Sequence, residues 1–474
     1  MLAALIVLVT TVQWRPEERV MLSDFSYVDA VAASPWTVFA ATRHGLLIYD
    51  RVARAWKLPV TTLDGYPTSR VRSAIVDQAG NAVWLNVGGI DGYVRYDVDA
   101  RMWTRGIPPP PDLQSQVLTV ETALARAPAA DALRALILTD PRLRSYQFTS
   151  AASTPDRSEL YLGTNGMGLV RVDPQTGEWE ALPYGLIATG VGAIAPAHDG
   201  VWTATSAHSG IIERHGLTWV ASDLSSTRSS EGGGAALGFT FFQAWRMISA
   251  RGALWVATEE GVWRIDPATF RARRFDVYPV MSLAPAPDGV WAGSTKGLFV
   301  ITDDGRVVPV GAPDLVAFRV LAMGDTLWVS TLNGLRRLLP GSNAVTELDE
   351  LANFPSLRVP IYALGRARDT LVLATQRELA WRATRSDSVI WSRATLPPAL
   401  GLPLVLAPDP DGGVWLGGTQ GLAHVDFANP HIRVLSVPLN VPAGARDLLT
   451  DERYLWVATD SGLVRFDRRA ARTR

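Results

Sequence analysis

The chain alternates short apolar runs with tight, glycine-bearing turns. In Asp411 to Asp426, DGGVWLGGTQGLAHVD, the burst Val414, Trp415 and Leu416 precedes Gly417 and Gly418, a turn at Gly421, and a second run ending at Asp426. A strand of large residues, a tight turn and a partner strand make a β-hairpin. The same hairpin recurs as LWVATEEGVWRID in mid-chain and LWVATDSGLVRFD near the C-terminus.

The large residue that opens each hairpin is Phe39, Trp84, Tyr161, Trp202, Trp255, Trp291, Trp328, Val372, Trp415 or Trp456, which makes ten copies. Their basic period is about 40 residues, within the range of propeller repeats. The turn glycine follows six positions later in six copies, at Gly45, Gly261, Gly297, Gly334, Gly421 and Gly462. Upstream of the hairpin lies a short apolar strand and turn (SLAPAPDG, LVLAPDPDGG), and downstream a polar strand (GEWEALP, HIRVLSVP). Four short strands per repeat are a propeller blade. The spacing therefore predicts an all-β β-propeller of about ten four-stranded blades. The innermost strand is expected to be small and apolar at the axis, the second to carry an aromatic wedge between blades, and the fourth to face water.

EERVMLSDF, before the first hairpin, matches the fourth strand in IRVLSVPL, whereas the tail RRAARTR does not. Glu18–Asp24 is thus expected to complete the last blade, joining the termini in one ring. Two smaller rings are the alternative. Residues 15–474 read as the propeller. A helical insertion interrupts it at 108–146, with helical apolar spacing in LQSQVLTVETALARA and DALRALIL. A Ser/Gly-rich loop, expected to be flexible, interrupts it at 222–238.

Composition narrows the function class. A 47% hydrophobic content is that of a globular protein, and a formal net charge of −1 gives no electrostatic case for nucleic acid or an anionic membrane. The absence of cysteine excludes disulfides, thiolate metal sites and cysteine nucleophiles. Residues 1–14 form a signal-like apolar segment, shorter than the about 20 residues a membrane span needs. A buried strand is its alternative reading. The expected location is periplasmic or extracellular, with no integral membrane span.

Both insertions and the three lengthened hairpin loops belong to blades two to four, on the face where blade-to-blade loops and hairpin turns emerge together. Loops on a rigid scaffold are where binding resides. The sector with Asp91, Asn165, His208, Glu231 and Phe242 is the candidate binding site, and tolerance of insertion is the alternative. The six histidines are scattered, and no catalytic or metal-ligand spacing occurs, so no catalytic residue, metal or cofactor is assigned. The Asp that ends most hairpins (Asp50, Asp97, Asp173, Asp266, Asp426, Asp467) reads as a turn-former accepting backbone bonds, not a calcium ligand.

VWAGSTKGLFVI, LWVATEEGVWRIDPAT and LYLGTNGMGLVRVDPQTGEWE resemble the two-component-regulator propeller repeat, over nearly the whole chain. The resemblance implies a periplasmic sensing propeller. No kinase or receiver motif occurs here, so a stand-alone exported propeller is expected. DPQTGEW, Asp173 to Trp179, is also similar to the docking motif of quinone-cofactor dehydrogenases, as one copy. The leading expectation is a non-enzymatic propeller that binds an unidentified ligand or protein on its loop-rich face, in a sensor or scaffold role. The alternative is a propeller enzyme of lyase or quinoprotein type, with its site at the axial tunnel.

Overall fold

The computed structural model describes residues 14–473 except 135, 137, 140–143, 199, 206–208, 216–217, 224–243, 270, 278, 386–387 and 429. Ten antiparallel sheets of four or five strands succeed one another along the chain. We number them by their innermost strands: Val28–Ala33 (sheet 1), Val71–Val76 (2), Phe148–Ser153 (3), Ala193–Pro196 (4), Ala244–Ala250 (5), Val280–Ala286 (6), Arg319–Met323 (7), Ala363–Ala367 (8), Pro403–Pro408 (9) and Ala445–Thr450 (10). Each predicted hairpin forms the second and third strands of a sheet.

The Thr before the hairpin turn explains why the turn is so regular. Thr258 Oγ1 donates to the Gly261 carbonyl at 2.9 Å and accepts from the Glu260 N–H at 3.2 Å. Thr42, Thr331 and Thr459 repeat the arrangement. One buried hydroxyl thus satisfies both a donor and an acceptor of a tight turn. Gly261, Gly297, Gly334 and Gly462 have positive φ, as the turn requires.

Following the wedge of each sheet to its partner reveals a closed circuit of seven sheets and a separate group of three instead of one ring of ten. Trp202 packs on sheet 5, Trp255 on sheet 6, Trp291 on sheet 7, Trp328 on sheet 8, Val372 on sheet 9 and Trp415 on sheet 10. Trp456 of sheet 10 then packs on Val191, Ile194 and Val201 of sheet 4 and the approach to it. The Val191 N–H donates to the Thr459 carbonyl at 2.9 Å across the same seam. Sheets 4 to 10 therefore close a seven-membered circuit. Each wedge contributes about 1.5–3 kcal/mol by burial, and repeats stabilised through their neighbours behave this way.

Sheets 1 to 3 form a separate group with sheet 1 in the middle. Phe39 packs sheet 1 on sheet 2, and Tyr161 packs sheet 3 on sheet 1. Trp84 of sheet 2 has no fourth sheet to meet. It packs on Leu113, in the 3-10 turn Pro111–Gln116 of the predicted insertion. Helices α1 (Val120–Ala125) and α2 (Ala130–Arg134) then cover the free face of sheet 3 through Ala123, Leu124 and Leu133. The described parts of the insertion thus cover the free faces of both sheet 2 and sheet 3. Its part around Leu113, Ala123, Leu124 and Leu133 is core.

The N-terminal strand takes the place read for Glu18–Asp24. Arg19–Leu22 pairs antiparallel with Gly462–Asp467, Arg19 opposite Phe466 and Leu22 opposite Leu463. Just beyond it, Phe25 packs where the three-sheet group meets the seven-sheet circuit. The Leu186 N–H donates to the Ser23 carbonyl at 2.9 Å, and Gly185, at positive φ, lies where a Cβ would sit 2.5 Å from the Phe25 ring. The basic tail folds as α3 (Arg468–Thr473), whose buried Arg468 pairs with Asp409 and Asp411 of sheet 9.

Candidate functional site: the axis of the seven-sheet circuit

Strand register sets the height of each innermost residue along the axis. Ile248, Ala284, Leu321 and Leu449 stand opposite Trp255, Trp291, Trp328 and Trp456 of their own sheets. Arg246, Ser282, Arg319 and Asp447 each lie two residues earlier, so all four share one level. That level is near the start of the innermost strands, at the end where the hairpin turns emerge. The innermost strands were expected to be apolar, and sheets 5, 7, 8 and 10 depart from this with Arg246, Arg319, Arg366, Arg446 and Asp447.

A β-bulge precedes this level in sheets 5, 6, 9 and 10, at Trp245, Met281, Leu404 and Arg446. Bulges re-aim side chains. Sheets 1 to 3 carry the same shift at Asp29, Arg72 and Thr149. The device is common to both groups of sheets.

Asp447 is fully buried and ties three sheets together. Its carboxylate pairs with Arg246 of sheet 5 and accepts the Ile194 N–H of sheet 4 at 3.1 Å. It also accepts its neighbour's N–H, from Leu448, at 3.0 Å. Burial pushes this carboxyl above the usual carboxylate range, with Arg246 opposing. Arg319 reaches further. Its Nη1 donates to the carbonyls of Met281 (3.1 Å, sheet 6) and Phe318 (3.2 Å), and its Nη2 to Leu404 of sheet 9 at 3.1 Å. The guanidinium spans the axis on carbonyl acceptors alone. Burial, helped by repulsion from Arg246, pulls its pKa down to about 10, so it stays charged at neutral pH.

Beside these groups lies a cavity of about 280 Å³. Trp245, Arg246, Arg319, Arg366 and Arg446 line it, together with Leu283, Leu321, Leu364, Leu406 and other apolar side chains; no His, Asp or Glu lines it among the described residues. Arg446 is neutralised by a bidentate pair with Asp460 of the hairpin turn (Nε to Oδ1 3.0 Å, Nη2 to Oδ2 2.6 Å). Arg366 follows Gly365, which stands opposite Val372, and is exposed. That puts it three strand positions, about 10 Å, along the axis from the level of Arg319. The cavity thus combines apolar walls, two neutralised cations and two cations, Arg319 and Arg366, for which no carboxylate contact is found among the described residues.

The residues expected to form a loop-rich site are distributed differently. Asp91 is exposed in the turn between Ala82–Val87 and Tyr93–Asp97. Asn165 holds the start of sheet 3: its Oδ1 accepts the Gln147 N–H at 2.9 Å, and its N–H donates to the Gln147 carbonyl at 3.1 Å. Sheet 1 stands between the sheets that carry these two residues. His208, Glu231 and Phe242, with the loop read at 222–238 beyond Asp223, lie outside the described residues.

The hairpin-end aspartates are turn-formers, as read. Asp50 accepts from Val52 and Ala53, Asp97 from Ala100, Asp266 from Ala268 and Thr269, Asp426 from Ala428, and Asp467 from Arg469 and Ala470. Asp173, in the DPQTGEW run, accepts the Gln175 N–H at 2.7 Å in the same way. The axial charges had one visible signal in the sequence: an Arg or Asp inside an otherwise apolar innermost strand, as in AWRMISA and ARDLLT.

Comparison with known proteins identifies similar folds only. No protein-family model and no curated protein matches the chain. Among solved structures, PorZ, a surface component of the type IX secretion system of Porphyromonas gingivalis, aligns over 95% of this chain and 87% of its own at 12% identity and a TM-score of 0.58. The extracellular domain of a hybrid two-component system from B. thetaiotaomicron aligns over 94% of this chain and 68% of its own (12% identity, TM-score 0.46). Virginiamycin B lyase from Staphylococcus aureus aligns over 58% of this chain and 94% of its own (15% identity, TM-score 0.45). Of these, PorZ shows a similar fold.

Proposed function

We propose that the protein is a non-enzymatic binding propeller whose ligand site is the axial cavity of the seven-sheet circuit. One observation carries the reading: the cavity of about 280 Å³ stands at the axis, where several sheets contribute to one concave, mostly apolar wall with a few polar groups. Such a pocket is the ordinary form of a small-molecule site. Its described lining offers fixed cations and apolar surface, which suit holding a ligand better than proton transfer. A sensor-like role outside the cytoplasm agrees with the apolar N-terminal run, with the two-component-regulator-like repeats, and with the surface location of PorZ.

Replacing Gly365, which lines the cavity, by Trp tests the reading once circular dichroism shows the variant folded, since a Cβ there would lie 3.0 Å from Leu406 Cβ of sheet 9. A small-molecule library is screened by thermal shift against the wild type and against Gly365→Trp. Compounds that stabilise the wild type and lose their effect in the variant support it. Stabilisers that act equally on both proteins place the site elsewhere, and the loop face carrying Asp91 and Asn165 is then the second reading.

A further inference from the structure

We infer that the axial cavity takes an organic anion, an oxyanion group on an apolar body, with Arg366 as its charge partner. This inference rests on the cavity being the ligand site and adds the chemical class of the ligand. Four arginines line or reach the cavity, and two of them are already matched, Arg246 by Asp447 and Arg446 by Asp460. Among the described residues Arg319 donates only to carbonyls, and the Asp447 carboxylate, already paired with Arg246, offsets part of its charge at longer range. Arg366 is exposed at the cavity and makes no ion pair or hydrogen bond among the described residues.

A cation held at a low-dielectric wall attracts a counter-charge more strongly than one in water. Guanidinium groups match carboxylate, sulfate and phosphate oxygens in a fork geometry. Between the two levels the wall is apolar, with Leu283, Val320, Leu364 and Leu406. A small inorganic anion would leave that surface uncovered, and an uncharged alkyl chain would leave Arg366 unmatched. An amphipathic acid satisfies both.

The test uses the full chain and four probes: octanoate, octyl phosphate, octanol and inorganic phosphate, each titrated calorimetrically into wild type, Arg366→Gln and Arg368→Gln. Arg368 is exposed two residues further on, in the following turn, and does not line the cavity. We expect octanoate or octyl phosphate to bind the wild type about tenfold more tightly than octanol or inorganic phosphate. Arg366→Gln should lose that advantage with an unchanged melting temperature, and Arg368→Gln should keep it. Preference for octanoate over octyl phosphate, or the reverse, separates a carboxylate from a phosphate ligand. Equal binding of octanol and octanoate, abolished by Gly365→Trp, would overturn the anionic class and leave the cavity as a site. Binding of all probes unaffected by Gly365→Trp, or no binding at all, would overturn both.

Discussion

Thr459 illustrates how much of this fold is set by one buried atom. Its hydroxyl donates to the Gly462 carbonyl at 2.8 Å and accepts the Ser461 N–H at 3.2 Å. Thr459→Val keeps the shape and strands both backbone groups. We expect a loss of about 1–3 kcal/mol, read as a lower urea midpoint with an unchanged slope. Asp409 supplies the pH test. Its buried carboxylate meets His424 Nε2 at 2.8 Å and pairs with buried Arg468. Burial acts to raise its pKa, but the His424 contact, a backbone hydrogen bond and the Arg468 charge outweigh it, so the folded value lies below the ordinary one. A depressed carboxylate stabilises the fold above its unfolded pKa and loses that contribution as pH falls through the folded value. Asp409→Asn should therefore cost about 3–5 kcal/mol near neutral pH. The gap to the wild type should narrow below about pH 4, and a gap independent of pH would remove the charge from the account. At this scale the repeating residues were legible, because a wedge, a Thr or a turn Asp returns every 40 residues or so. The axial charges recur in no pattern: each sheet contributes a different partner, and only the folded register brings Arg246, Arg319 and Asp447 level.

At the scale of elements, the insertion was legible as helices but not as a cover. Its apolar spacing announced α1, yet spacing cannot say which face those side chains will cover. Leu113 reaches sheet 2 and Leu133 reaches sheet 3, and both are buried. Terminal repeats need a cap on the face that lacks a neighbour. Leu133→Ala should cost about 2–5 kcal/mol. Hydrogen exchange should show the loss concentrated in sheets 1 to 3, with sheets 5 to 9 keeping their protection. Equal loss across all sheets would mean that the chain unfolds as one unit. The N-terminal strand is the opposite case, an element identified correctly because EERVMLSDF repeats the pattern of a fourth strand. Its pairing with Gly462–Asp467 supplies the strand that sheet 10 lacks.

For the whole molecule, the repeat count was in the sequence and the closure was not. Each repeat states that a wedge needs a neighbouring sheet, and ten repeats satisfy that rule equally well in one ring or two. What decides is which surfaces meet Trp84 and Trp456. Leu113, from the insertion that follows sheet 2, meets the first, and sheet 4, which is not adjacent to sheet 10 in the repeat order, meets the second. The axial cavity depends on this closure. A ring of ten would separate sheet 10 from sheet 4 and dissolve the level shared by Arg246 and Asp447.

The absence of cysteine from the sequence allows a direct measurement. A Cβ at Gly190, just before sheet 4, would lie 3.8 Å from the Asp460 Cα in the hairpin turn of sheet 10, within disulfide reach. Gly190→Cys combined with Asp460→Cys should cross-link on mild oxidation of the folded protein, giving an intrachain disulfide by mass spectrometry and a shifted mobility on non-reducing gels. Two thiols that stay free in the folded protein, and pair only after denaturation, would contradict the seven-sheet closure.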